Sequence, residues 1–348
     1  MSEDYSVEYV NLARDRNVAE VQNFLQKFGL TFSNDVDFTI ILRDQNGNIT
    51  GTGSSQGEIL RNIAVDPTIQ GEGLTARILS VLMQNMAQNG IFHYFIFTKP
   101  DTAFLFANLG FQEIARAEPY AALLESGHGS VMSYCQKIAA ETDFLPKERA
   151  TLVINANPFT KGHRALVEKA ASEAPAVIIF VVSEERSLFP FRDRLRLVRE
   201  GVQDLENVAV VEGGKYIISS ATFPTYFTRE QDHVAAQTRL DLSLFAQQIA
   251  SRLFITSRYI GEEPYCPVTA QYNSAMNEIL PKAGIRVHII PRVTSAGEVI
   301  SASKVRDLIR INDWETLEKL VPETTLNYLQ DKQNQPVLDK IRSTYLRH

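Results

Sequence analysis

Cysteine is almost absent: Cys135 and Cys266 are the only two in 348 residues. Two thiols without metal-type spacing exclude both a disulfide framework and a zinc ribbon. No apolar run approaches the roughly 20 residues that a membrane span needs. The opening Met-Ser-Glu-Asp-Tyr-Ser is acidic and polar, unlike a signal peptide. Basic charge is not in excess either. The 35 Lys and Arg are outnumbered by 41 Asp and Glu, giving a net charge of −6, which argues against general nucleic-acid binding. Repeats and low-complexity tracts are also lacking. What remains has the composition of a soluble globular protein, with a cytoplasmic location expected, and its length exceeds what one core usually supports, so two domains are expected.

The most informative stretch is residues 151–169. A buried-strand pattern, Ala150 to Ile154, breaks at Asn155-Ala156-Asn157-Pro158, crosses Phe159-Thr160-Lys161, and enters an amphipathic helix at Gly162-His163. In an α/β domain such a loop lies at the carboxyl end of the first strand, where ligands bind. Unpaired N–H groups at the helix start attract phosphate, and His163 stands in that first turn. Thr160-x-Gly162-His163 resembles the (His/Thr)-x-Gly-His signature of the nucleotidylyltransferase superfamily, which cleaves nucleoside triphosphates at the α-phosphate. A second stretch, Ile300-Ser301-Ala302-Ser303-Lys304-Val305-Arg306, is similar to another signature of that superfamily. There Ser301 can cap a helix or donate to phosphate, Arg306 can grip phosphate oxygens bidentately, and Lys304 adds a point charge.

Other residues gather around this pair. Asn155 and Asn157 flank the turn, where their amides can orient a triphosphate or only shape the loop; Pro158 fixes that loop and Phe159 packs beneath it. Arg192 and Arg194 open a helix, either near phosphate or on a solvated face. After a buried strand, Gly261 and Glu262 are placed to read adenine, ribose or metal, with Glu263, Thr269, Tyr272 and Asn273 close behind. The hydroxyl- and aromatic-rich Ser219–Phe227 suits a small carboxylate pocket. The remaining histidines, His93, His128, His233, His288 and His348, lack ligand spacing and read as structural.

The first half carries different signals. A helical pattern runs from Val18 to Phe28, a hairpin follows at 38–43 and 49–54, and a strand at 58–65 leads into Gln70-Gly71-Glu72-Gly73-Leu74-Thr75. Together with Phe104-x-Phe106-Ala107-Asn108-Leu109-Gly110-Phe111, this piece resembles the GNAT acyltransferases over about residues 5–135. The resemblance implies that Gln70, Gly71, Gly73 and Thr75 cradle a pantetheine or coenzyme-A-like pyrophosphate at a helix N-terminus. The family's proton-donating Tyr is Phe106 here, and a phenyl ring cannot donate. Thiol binding without ordinary amine acetylation is the expectation.

These patterns predict an α/β protein: a GNAT-like α+β domain at 1–137, a polar linker at 136–149, and a Rossmann-like parallel-sheet nucleotidylyltransferase domain at 149–348. Expected strands there are 150–154, 177–182, 208–211, 252–260 and 285–290; expected helices are about 162–173, 191–203, 240–251, 268–283, 302–311 and 313–320. Over its whole length the order of motifs, with Gly213–Phe227 between them, closely resembles the citrate lyase ligase family. That resemblance implies ATP and Mg²⁺ as cofactors, acetate as substrate, and the citrate lyase acyl carrier subunit as partner, with His163, Lys304 and Arg306 catalytic. Neither nucleic acid, membrane nor a resident protein-bound metal enters the expected reaction. The motifs themselves leave open an adenylyltransferase that joins AMP to a phosphorylated metabolite.

Overall fold

The structure is a computed structural model that describes residues 5–69, 73–183, 185, 187–217, 232–262, 267–295 and 298–344. Its described residues divide into two compact units. Residues 5–131 with 232–240 make the first, and 132–217 with 241–344 make up nearly all of the second.

The first unit is built on strands β1 (Ser6–Tyr9), β2 (Phe38–Arg43), β3 (Ile49–Gln56), β4 (Ile59–Val65), β5 (His93–Thr98), β6 (Gln112–Ala117) and β7 (Ala121–Gly127), with helices α1 (Asp15–Gln26), α2 (Leu74–Gln88) and α3 (Ala103–Ala107). The sheet runs β1-β2-β3-β4-β5-β7-β6. All neighbours are antiparallel except β4 and β5, which pair in parallel only at Ile59/Phe95 and Leu60/Ile96. Strand β2 is buried on both faces: Ile40 and Leu42 join a core under α2, while Ile41 packs with Val18, Val21 and Phe24 of α1. Gly53 of β3 lets α2 approach, since a Cβ there would lie 2.4 Å from Ile78 Cγ2. This mixed sheet with its helices is the α+β arrangement expected for the first half of the chain.

The second unit is doubly wound. Its sheet contains β8 (Arg149–Ile154), β9 (Ala176–Val181), β10 (Val208–Glu212), β11 (Ile255–Gly261) and β12 (Arg286–Ile290), ordered β10-β9-β8-β11-β12 and parallel throughout. The chain is completed by α4 (Val131–Glu141), α5 (Lys161–Glu173), α6 (Phe191–Gly201), α7 (His233–Leu244), α8 (Pro267–Ile279), α9 (Ala302–Ile311), α10 (Trp314–Leu320), α11 (Glu323–Gln330) and α12 (Gln335–Ser343). A short ribbon of Thr294–Ser295 and Glu298–Val299 precedes α9. Val177, Ile179 and Val181 face α5 and α6, whereas Phe180 meets Phe245 edge-on on the other face. Strands on one side of β8 continue to β9 and β10, and on the other to β11 and β12. The crevice beyond the carboxyl ends of β8 and β11 is therefore the topological switch point, where open α/β sheets bind ligands.

Three differences from the sequence reading have local causes. Helix α7 begins at His233, not near 240, and continues as a π-helix over Phe245–Ala250. Helix α4 was not expected, although Val131, Cys135 and Ile138 share one buried face. The stretch read as a linker holds the end of α4, and the Arg149 guanidinium folds back onto the carbonyls of Thr142, Leu145 and Pro146.

Candidate active site

The loop leaving β8 is held in an unusual path. Ala156 has φ +51°, and Asn157-Pro158 is a cis peptide bond. Asn157 is buried, and its Oδ1 accepts from the Phe189 N–H at 3.1 Å. Phe159 is fully buried; its carbonyl accepts from Thr325 Oγ1 at 2.9 Å. Its ring lies against Gly201, where a Cβ would sit 2.5 Å from Phe159 Cε1. These loop residues fix where α5 begins.

Thr160 caps α5 in a reciprocal capping box. The His163 N–H donates to Thr160 Oγ1 at 3.4 Å, and the Thr160 N–H donates back to His163 Nδ1 at 3.1 Å. As Nδ1 accepts, the ring proton belongs on Nε2. Burial pushes the imidazole pKa down to about 4, with the nearby Arg292 guanidinium adding to the effect. His163 is thus a neutral hydrogen-bond donor at physiological pH. The ring stacks on Phe159 with centroids 5.8 Å apart. With His163 and Arg164 bonded to Thr160, the N–H groups of Lys161 and Gly162 stay available to an anion.

The second motif repeats the same cap. Ser301 Oγ accepts from the Lys304 N–H at 3.1 Å at the start of α9. Gly162 lets the two motifs meet, for a Cβ there would be 3.2 Å from the Ile300 carbonyl oxygen. Arg306 is buried. Its Nη1 donates to the Asn157 carbonyl at 2.6 Å and its Nη2 to Ser303 Oγ at 3.1 Å. The sequence reading had this guanidinium on phosphate; the structure shows it spanning both motifs. Two helix N-termini, a neutral His and a buried Arg converge on one side of the switch point.

Arg194 corrects the sequence reading, which offered either a phosphate contact or a solvated face. It is fully buried and donates to the carbonyls of Phe189, Asn155 and Val182 and to Asn155 Oδ1. Asn155 also exchanges a hydrogen bond with Ser187. The end of β8 is therefore pinned by a cation that sequence alone made ambiguous. Beyond β11, the Glu262 N–H pairs with the Ile290 carbonyl, while Gly261 and Glu262 carbonyls accept from Asn273 Nδ2 and Arg292 Nε. Arg292 was missed; its signal was a cation two residues after the fifth strand. Glu263, the side chain of Thr269 and all of Ser219–Phe227 lie outside the described residues.

In the first unit, a cavity of about 510 Å³ opens where β4 and β5 stop pairing. Leu60 to Val65, Ile96 to Thr98 and the start of α2, including Gly73 and Thr75, line it. Asn62 sits at φ +55° beside a register shift against β3, a bulge of the kind that re-aims a strand. Gly73 caps α2 at φ +75°. Phe106 lines the same cavity. Gln70 and Gly71 lie outside the described residues.

A parallel sheet carrying these paired helix starts at its switch point defines the second unit as a doubly wound α/β domain with a candidate anion site. Residues 149–329 match the family model described as the citrate lyase ligase C-terminal domain. The chain is 38% identical over 326 residues to the citrate (pro-3S)-lyase ligase of Klebsiella pneumoniae, covering 92% of this chain and 95% of that one. With the ligase of the same name from Escherichia coli strain K12 it shares 34% identity over 329 residues, 92% of this chain and 93% of that one. A GNAT-family acetyltransferase structure from Staphylococcus aureus matches 36% of this chain and 99% of that one, at 12% identity and TM-score 0.31. The chain belongs to the citrate lyase ligase family.

Proposed function

We propose that this protein activates citrate lyase by acetylating the thiol on its acyl carrier subunit, using ATP and acetate. In the first step an acetate oxygen attacks the α-phosphorus of ATP, the bond to the β-phosphate oxygen breaks, and pyrophosphate leaves. In the second the carrier thiol attacks the acyl carbon of acetyl-adenylate, giving the thioester and AMP. Charge develops on phosphate oxygens, so catalysis needs fixed donors and no protein nucleophile.

The observation that carries this reading is the meeting of the α5 and α9 N-termini at Gly162 and Ile300. The N–H groups of Lys161 and Gly162 and the Nε2–H of His163 suit the α-phosphate oxygens. Ser301, Ser303 and Lys304 suit the departing pyrophosphate, with Arg306 holding both motifs in register and adding charge. Asn155, Asn157, Pro158 and Phe159 set the loop, and Gly261 and Glu262 offer backbone to the adenosine. Among the described residues no group of three or more His, Cys, Asp or Glu is arranged to hold a metal. Mg²⁺ fits as a companion of the triphosphate, bound chiefly by phosphate oxygens, where it neutralises the leaving group.

In the first unit the cavity between β4 and β5 suits a pantetheine arm, with Gly73 and Thr75 at its pyrophosphate end. Phe106 in place of a hydroxyl donor fits a unit that binds a thiol and does not acetylate amines. Among the described residues no helix is long and apolar enough to cross a membrane. The reaction's ATP and carrier substrates suit the cytoplasm. ATP–pyrophosphate exchange with radiolabelled pyrophosphate tests the reading: label should enter ATP only when acetate is present. Transfer of AMP to a phosphorylated metabolite, with no response to acetate, would refute it.

A further inference from the structure

We propose that Arg258 binds the carboxylate of the acid being activated, an assignment that rests on the acyl-adenylating reading above. Arg258 is the sole charged residue of β11, Ile-Thr-Ser-Arg-Tyr-Ile-Gly, and is 3% exposed. Its guanidinium carbon lies 4.7 Å from the Phe245 ring centroid and 5.9 Å from that of Tyr272. Nη2 donates to the Tyr272 hydroxyl at 3.3 Å, and that hydroxyl donates to the Asp241 carboxylate. Nε and Nη1 are buried and meet no acceptor.

Two other buried arginines, Arg194 and Arg149, show what a structural role looks like in this unit. Arg194 spends its donors on three carbonyls and an amide oxygen. Arg149 reaches the carbonyls of Thr142, Leu145, Pro146 and Leu253. Arg258 has neighbours of another kind, two aromatic faces and one hydroxyl. Burying unpaired guanidinium donors is costly, and each such group calls for an explanation. An incoming anion supplies it.

Position and shape select the anion. Arg258 pairs in register with Thr151 of β8 and stands three residues before Gly261. It therefore lies midway along the two strands that flank the switch point, about 10 Å short of their carboxyl ends. One guanidinium walled by two rings matches a monoanion with a small apolar body, such as acetate. A triphosphate needs many more donors, and those gather around α5 and α9. Tyr272, fixed by Asp241, holds the guanidinium plane in place.

The test is acetate-dependent ATP–pyrophosphate exchange by the full-length protein, with KM for acetate and for ATP measured separately. Arg258→Gln is expected to raise the acetate KM by about tenfold or more while moving the ATP KM by less than about twofold. Arg258→Lys, which keeps the charge, should recover part of the acetate affinity and is the second variant if the first does not fold. An unchanged acetate KM in either folded variant overturns the assignment, as does a rise in both KM values together. Absence of acetate-dependent exchange in the unsubstituted protein would instead overturn the adenylation reading, and this proposal with it.

Discussion

Arg306 Nη1 donates to the Asn157 carbonyl at 2.6 Å, a bond between residues 149 apart in sequence. It joins the helix of one motif to the cis-proline loop of the other, so the site is a single construction and not two adjacent helix ends. Arg306→Met should leave that buried carbonyl without its donor, at a cost of about 1–3 kcal/mol. The expected result is a lower denaturation midpoint and a loss of exchange of at least about a hundredfold. Exchange kept near normal in a folded Arg306→Met protein would separate the guanidinium from the reaction.

His163 should act as a neutral donor. Its Nδ1 accepts from the Thr160 N–H, and burial holds its pKa near 4. His163→Ala should remove a transition-state donor and reduce exchange by about a hundredfold or more. On this residue's account the exchange rate should be flat from pH 8 to about 5 and fall only as pH nears 4.

The same shift has a stability consequence. An unfolded imidazole takes up its proton near pH 6.5, whereas the folded one resists until about pH 4. The unfolded chain binds more protons in that window, so the contribution is fully present above about pH 6.5 and declines as pH falls toward 4. Urea midpoints measured at pH 7 and pH 5 should fall more for the unsubstituted protein than for His163→Gln. Equal falls would contradict the burial of a neutral imidazole.

Two glycines should fail in different ways. At Gly162 a Cβ would press on the Ile300 carbonyl from 3.2 Å, so Gly162→Ala should part the motifs slightly and raise the ATP KM with a small change in midpoint. At Gly201 a Cβ would stand 2.5 Å from the Phe159 ring. Gly201→Ala should therefore cost about 1–3 kcal/mol through overpacking, seen as a lower midpoint in thermal unfolding.

Much of this was legible before the structure. The strands from Ala150, Val177 and Val208 were readable because buried parallel strands are near-continuous apolar runs. The two helix starts were readable because Thr160 and Ser301 are cap residues in fixed places before a helical pattern. Strand β1 was missed because Ser6-Val7-Glu8-Tyr9 is four residues at a sheet edge with no pattern to count. Helices α11 and α12, which were not expected, begin beside Pro322 and Pro336, and proline is favourable in a first helical turn. The partners of Arg194 and Arg306 could not be read, since each bonds to backbone carbonyls that carry no sequence identity.

The first unit should matter to the thiol and not to the nucleotide. Gly73 holds φ +75° at the cap of α2, a conformation that costs an L-residue about 1–2 kcal/mol. Gly73→Val should slow acetylation of the carrier thiol while leaving acetate-dependent exchange within about twofold. Loss of both activities in a folded variant would contradict the separation of roles.

The most direct measurement is the intact mass of the deacetylated citrate lyase acyl carrier subunit after incubation with this protein, ATP, Mg²⁺ and acetate. The account predicts a gain of one acetyl group, reversed by hydroxylamine as a thioester is, with AMP and pyrophosphate formed in equal amounts. A carrier of unchanged mass, with ATP consumed or not, would contradict it.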